Sequence, residues 1–177
     1  MLDVHSTRSI FLYDNEFGHP VFDTKRTEMG ELLYRLKYNG DFTSLAEIGE
    51  ISEHFIKSWG VDFNIIVPIP PTRTRRIQPV FQIADELAKR FGVQVIKNAV
   101  KKLRSFKELK DVHELEERRR ILDKAFMVDH QLVNGKRILL VDDLIRSGAT
   151  MNATAEVLKE SGATVVFAFT LTQTRRK

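Results

Sequence analysis

Apolar strands alternating with amphipathic helices over residues 61–177 predict an α/β fold. This is a doubly wound, mainly parallel sheet, preceded over residues 1–60 by a small hood-like lobe with a hairpin and two helices. Two continuous apolar runs, at 63–67 and 138–141, carry the expectation, because a parallel strand covered on both faces has no polar side to show. The third observation is the stripe Val80, Ile83, Ala84, Leu87 and Phe91 between those runs, which repeats at three-four spacing as a helix does. With 177 residues, 42% of them hydrophobic and 29% charged, the chain holds enough apolar material for one core.

The elements follow in order. Short β-type stretches at 10–13 and 20–22 flank a polar turn containing Asn15 and Gly18, the pattern of a hairpin. Over 28–38, Met29, Leu32, Leu33 and Leu36 recur at helical spacing, and Asn39-Gly40-Asp41 stops the run. Ser44 and Glu47 then read as a capping box ahead of Leu45, Ile48, Ile51, Phe55 and Ile56, with Gly60 closing the second helix. The strand at 63–67 ends in prolines, the helix around 80–91 follows, and 93–96 is the next strand. Residues 97–124 are charged and include a second, basic helical segment. The strongest strand, 138–141, runs into a glycine-containing turn, a helix over about 150–160 closed by Gly162, and a last strand over 164–171.

Composition removes whole classes of function. With no cysteine there is no disulfide framework, thiolate zinc site, iron–sulfur cluster or cysteine nucleophile. No apolar run approaches the ~20 residues of a membrane span, and the first ten residues lack the apolar centre of a signal peptide, which predicts a cytoplasmic protein without membrane contact. The formal charge of +4 suits anionic ligands.

The segment from Arg137 to Thr150 is the most informative. Its apolar strand delivers Asp142 and Asp143 side by side, and Arg146, Ser147, Gly148, Ala149 and Thr150 follow. Gly148 permits positive φ and close approach, Ser147 and Thr150 offer hydroxyls, and the loop's amides open onto a helix N-terminus, so a phosphate monoester fits there. Two acids beside an anion site would repel phosphate alone; they suit vicinal hydroxyls, and the spacing describes a clamp for ribose 5-phosphate. A strand followed by an ordinary capped helix, or an acid pair holding Mg²⁺ for phosphotransfer, are the competing readings. The second leaves the Ser-Gly-Ala-Thr loop unexplained.

A second loop, Val67-Pro68-Ile69-Pro70-Pro71-Thr72-Arg73-Thr74-Arg75-Arg76, leaves the first core strand and precedes a helix. Prolines stiffen it, and Arg73, Arg75 and Arg76, with Pro71 and Thr72, form a candidate pyrophosphate site; a solvated basic loop is the plainer alternative. Lys101, Lys102 and Arg104 begin a basic arm that reads either as a lid over an anionic substrate or as a β-ribbon with one face buried.

The order of apolar strand, two acids, apolar residue and Ser-Gly-x-Thr resembles the phosphoribosyl pyrophosphate (PRPP) motif of type I phosphoribosyltransferases. Over most of its length the chain is similar to the ComF-type branch of that superfamily. Leu36-Lys37-Tyr38-Asn39-Gly40-Asp41, Val67-Pro68-Ile69-Pro70 and the stretch from Arg120 to Ala125-Phe126 carry this resemblance with the PRPP motif. Departures are Arg146 where a small hydroxyl residue is usual, Pro79-Val80-Phe81-Gln82 after the arginine loop, Ile121 where Asn is common, and no cysteine-rich zinc module. The resemblance implies Mg²⁺-dependent transfer of a phosphoribosyl group from PRPP to an unidentified nitrogen acceptor, with pyrophosphate released. Asp142 and Asp143 would hold the ribose, the loop from Arg146 to Thr150 the 5′-phosphate, and the arginine loop the pyrophosphate. Mg²⁺ would be bound through substrate oxygens, and the acceptor would stack on Tyr34 and Tyr38. A non-catalytic PRPP- or single-stranded-DNA-binding module of a DNA-uptake system is the alternative, with a DNA-uptake helicase or a second copy of the chain as partner.

Overall fold

The computed structural model describes residues 2–71, 78–103, 121 and 125–174. The chain opens with β1 (Asp3–Val4), the hairpin strands β2 (Ser6–Asp14) and β3 (Pro20–Arg26), helix α1 (Glu28–Tyr34), a π-helical turn (Arg35–Asn39) and helix α2 (Thr43–Ser58). Then come β4 (Ile65–Pro68), α3 (Pro79–Phe91), β5 (Gln94–Val95), β6 (Val100–Lys102), β7 (Phe126–Val128) and the short α4 (His130–Val133). Strand β8 (Arg137–Ile145), helix α5 (Ala149–Glu160) and β9 (Val165–Gln173) end the described order.

Five strands make one sheet in the order β1-β9-β8-β4-β5, and every pair in it is parallel. Alternation along its central strands sends side chains to two cores. Ile65, Val67, Ile138 and Leu140 face a cluster that includes Met151, Val157 and Leu158 of α5. Ile66, Leu139, Val141 and Phe169 face a cluster made by Met29, Leu33, Ile48, Ile56, Ile83 and Leu87 of α1, α2 and α3. The apolar runs at 63–67 and 138–141 are continuous because each strand is covered on both sides. The doubly wound sheet is therefore present, and α1 and α2 share their core with α3 and the sheet.

The N-terminal region adds what the sequence did not predict. β1 joins the main sheet at the edge of β9. The expected hairpin is longer than its two apolar patches, pairing Ser6–Asp14 with Pro20–Arg26 through two irregularities of register. The helix expected to run to Tyr38 changes to π geometry at Arg35 and ends on Gly40, whose φ of 63° is left-handed. The capping box of Ser44 and Glu47 does not form. Helix α2 begins two residues earlier than that box implies, with Phe42 at its N-cap; Asp41 Oδ1 accepts from the Thr43 amide at 3.0 Å, and the Ser44 hydroxyl, fully buried, donates to the Asp41 carbonyl at 2.6 Å. A carboxylate two residues ahead of the helix thus takes the role assigned to Ser44. Most of the basic helical segment expected within 97–124 lies outside the described residues; β6, inside that range, pairs antiparallel with β7.

Candidate active site

The site begins where two neighbouring strands part. β4 pairs with β8 only as far as Pro68 opposite Val141, and the Ile69 amide makes a last bond to the Val141 carbonyl at 2.8 Å. Pro70 and Pro71 have no N–H to continue the ladder. β8 runs on beside β9 to Ile145, so Asp142 and Asp143 lie inside the strand but beyond its contact with β4. From β4 the chain winds outward through α3 to β5, and from β8 it winds the other way through α5 to β9. The gap is therefore the topological switch point of the sheet, where doubly wound folds bind ligands.

A cleft of about 390 Å³ occupies it. One wall is Ile69, Pro70, Pro71 and the start of α3 from Gln78 to Val80; the other is the continuous run from Asp142 to Met151; Lys37 reaches in from the π turn. Alternation continues the Leu139–Val141 side of β8 to Asp143, towards α1 and α2, and there Lys37 Nζ lies 2.9 Å from Asp143 Oδ2. Both side chains are largely buried, at 14% and 17% exposure. Asp142 turns its Oδ1 back to accept from the Asp143 amide at 2.9 Å. Burial pushes the Asp142 carboxyl up to about 7; the charge of Asp143 adds to the rise, while that hydrogen bond and Lys37 oppose it.

Behind the acids, the Thr172 hydroxyl donates to the Asp143 carbonyl at 3.3 Å and lies 3.4 Å from His5 Nδ1. Burial lowers the His5 pKa, with Lys37 and then Arg26 adding to the effect. A neutral imidazole therefore backs the strand end.

Past the acids, the loop turns on Gly148, with φ of 81°, and this residue is the N-cap of α5. Gly148 has no side chain with which to cap the helix, and the Ala149 amide donates to Ser147 Oγ at 3.4 Å. First-turn amides thus open on the cleft beside the hydroxyls of Ser147 and Thr150, the arrangement that holds a phosphate. Arg146 is exposed at the rim.

Of the candidates, the fold brings together Asp142, Asp143, Arg146, Ser147, Gly148, Ala149, Thr150 and Pro71 around one cleft. Thr72, Arg73, Arg75, Arg76 and Arg104 lie outside the described residues. Lys101 and Lys102 sit on β6 in the β6–β7 ribbon and do not line the cleft; burial lowers the Lys102 pKa. Tyr34 and Tyr38 do not line it either. Their rings are 4.9 Å apart, Arg26 lies 3.7 Å over the ring of Tyr34, and Tyr38 is 65% exposed. Successive helical residues point about 100° apart, so the turn that turns Tyr38 outward directs Lys37 inward. Lys37 is the charged lining residue, among those described, that sequence reasoning missed. Its place before Tyr38-Asn39-Gly40-Asp41 was visible, but not that a π turn would aim it at Asp143.

Residues 80–177 match the phosphoribosyl transferase domain. The chain belongs to that family. Within it, competence protein ComFC of Streptococcus pneumoniae is 24% identical over 154 residues, covering 87% of this chain and 67% of that protein, in line with the ComF-type resemblance. Among solved structures, the glutamine PRPP amidotransferase of B. subtilis complexed with ADP and GMP has a TM-score of 0.56 at 17% identity, covering 89% of this chain and 35% of that one. The adenine phosphoribosyltransferase of Trypanosoma brucei in complex with AMP, pyrophosphate and ribose-5-phosphate has a TM-score of 0.53 at 14% identity, over 92% and 62%. The chain thus spans about a third of the amidotransferase, and these two likenesses are ones of fold.

Proposed function

We propose that this phosphoribosyltransferase-family chain binds PRPP with Mg²⁺ and transfers the 5-phosphoribosyl group to a nitrogen acceptor. The observation that carries this reading is the meeting, in one switch-point cleft, of two adjacent acids with a left-handed glycine turn at a helix start. In the reaction the C1–O bond to pyrophosphate breaks and its electron pair leaves with the pyrophosphate. The acceptor's lone pair forms the new C1–N bond, and the acceptor gives up one proton. Asp142 and Asp143 accept hydrogen bonds from the ribose diol, and the amides and hydroxyls from Arg146 to Thr150 hold the 5′-phosphate. The loop of Pro71, Thr72, Arg73, Arg75 and Arg76 takes the pyrophosphate, and Lys101, Lys102 and Arg104 start an arm that excludes water.

The donor set suits Mg²⁺ carried in by substrate. The ion would be held through pyrophosphate and ribose oxygens and its own waters, with no direct protein ligand, and no group of three or more His, Asp or Glu among the described residues competes as a dedicated cage. When bound, the ion neutralises the leaving pyrophosphate.

The similarity to a competence protein supports a second reading, a PRPP- or single-stranded-DNA-binding module without turnover. Calorimetric titration with PRPP and Mg²⁺, followed by pyrophosphate-release assays over a panel of nucleobases and amines, separates the two. Saturable binding with release on one acceptor is expected. Binding without release on any acceptor favours the module, and absence of PRPP binding removes both PRPP readings and leaves only single-stranded DNA as a ligand. Salt-sensitive binding of single strands that survives Asp142→Ala would put DNA on another surface.

A further inference from the structure

Two adjacent acids in a cleft meant for a polyanion pose an electrostatic problem. Like charges this close repel strongly in the reduced dielectric near a protein surface. The fold answers it at Asp143 with a cation from another part of the chain. Lys37 Nζ is 2.9 Å from Asp143 Oδ2, is 14% exposed, and lines the same cleft as the loop from Arg146 to Thr150.

The turn that supplies this cation is braced on its own account. Arg35 Nε donates to Asp41 Oδ2 at 2.8 Å across the π turn, and Asp41 Oδ1 also accepts from the Thr43 hydroxyl and amide. These bonds, to Thr43 and Arg35, hold the Asp41 carboxyl down to about 2, so the clasp stays ionic through the physiological range. Gly40 closes the turn in the left-handed region, and Leu36 on the adjoining side is buried. A π turn inserts one residue into a helix, and here the insertion separates the direction of Lys37 from that of the buried stripe. An ammonium has three donors, and Asp143 engages one of them.

We propose that Lys37 is a ligand-positioning residue of this cleft. It holds Asp143 in the orientation that receives the ribose diol and presents its remaining donors to an anionic group of the same phosphorylated sugar. The proposal rests on the PRPP reading above and adds to it a residue from outside the PRPP motif. Asp143 is thereby neutralised before substrate arrives, so a polyanion can enter beside it. Affinity for the sugar phosphate then depends on a side chain about a hundred residues earlier in the chain.

The test compares wild type, Lys37→Met, Lys37→Arg and the double variant Lys37→Met/Asp143→Asn by calorimetry with Mg²⁺ and PRPP, and with pyrophosphate and ribose 5-phosphate separately. Near-UV circular dichroism of each free protein reports its fold. Lys37→Met is expected to weaken PRPP binding roughly 10- to 100-fold, the range of a charge-assisted hydrogen bond. Lys37→Arg should recover binding to within a few-fold. The double variant, which leaves no unpaired carboxylate, should fold as wild type and remain weak for at least one of the two fragments. Wild-type affinity in Lys37→Met, or in the double variant for every ligand, overturns the role of Lys37 while leaving the PRPP reading intact. Failure of the wild-type protein to bind any of the three overturns both.

Discussion

Strands β8 and β2 are each nine residues long and each carries a run of large apolar side chains, yet they meet opposite fates. In β8, Ile138, Leu139, Leu140 and Val141 are fully buried; in β2, Ile10, Phe11, Leu12 and Tyr13 are 39–58% exposed. The difference lies in the neighbours. β8 has a strand on either side and helices on both faces, whereas β2 pairs with β3 alone, with Phe11 edge-on to Phe22 at 5.8 Å between ring centres. An apolar run is thus a request for cover that only the rest of the fold can grant. The same contrast recurs inside β8: where β4 leaves it, its side chains turn from core to site.

Truncation should split the two regions most sharply. Leu140→Ala removes a fully buried side chain from the centre of the sheet and is expected to cost about 3–4 kcal/mol in urea denaturation. A cost below about 1 kcal/mol would mean that this strand is not the tightly packed centre described here.

Asp142, at the end of the same strand, should be a source of instability that depends on pH. Its carboxyl is raised from 3.8 to about 7 by burial, so the folded chain resists ionising it. Both states are protonated below pH 3.8. Between there and about 7 the unfolded chain ionises first, and wild-type stability falls; above 7 the whole penalty is present. Asp142→Asn is therefore expected to be more stable than wild type by about 2 kcal/mol at pH 8, with the solvent that reaches the cleft reducing the gain, and to match it near pH 4. Thermal melts at the two pH values read this directly, and an equal difference at both would break the assignment.

Gly148→Ala places a Cβ at φ of 81°, where it meets Ile145 Cδ1 at an ordinary 3.4 Å, so the cost is backbone strain of about 1–2 kcal/mol without a clash. Loss of phosphate-ligand affinity should accompany it, measured by calorimetry. The smallest effect belongs to the hairpin: Phe17→Ser, at a tip residue 74% exposed, should change stability by no more than about 0.5 kcal/mol. A larger loss would show that the hairpin tip is packed in solution and not bare.

Much of this was legible beforehand because it is local. The strand at 138–141, the stripe on α3 and the glycine loop at 147–150 each declare themselves within a dozen residues. The capping box failed for a local reason too: Asp41 reaches the first amide of α2 before Ser44 can, and burial draws Ser44 elsewhere. What escaped was long-range. β1 joins the sheet beside β9, at the far end of the chain, and Lys37 meets Asp143 across more than a hundred residues.

The amino-acid order by itself determined the kind of layers, the acid pair and the anion loop, because periodicity, proline and glycine act through the backbone of their own neighbourhood. Only the folded chain decided that β4 and β8 part at Val141, that the hairpin stays bare, and that Asp143 receives a cation while Asp142 holds its proton to about pH 7. Those outcomes depend on distance and exclusion of water, which come into being when remote segments are packed together.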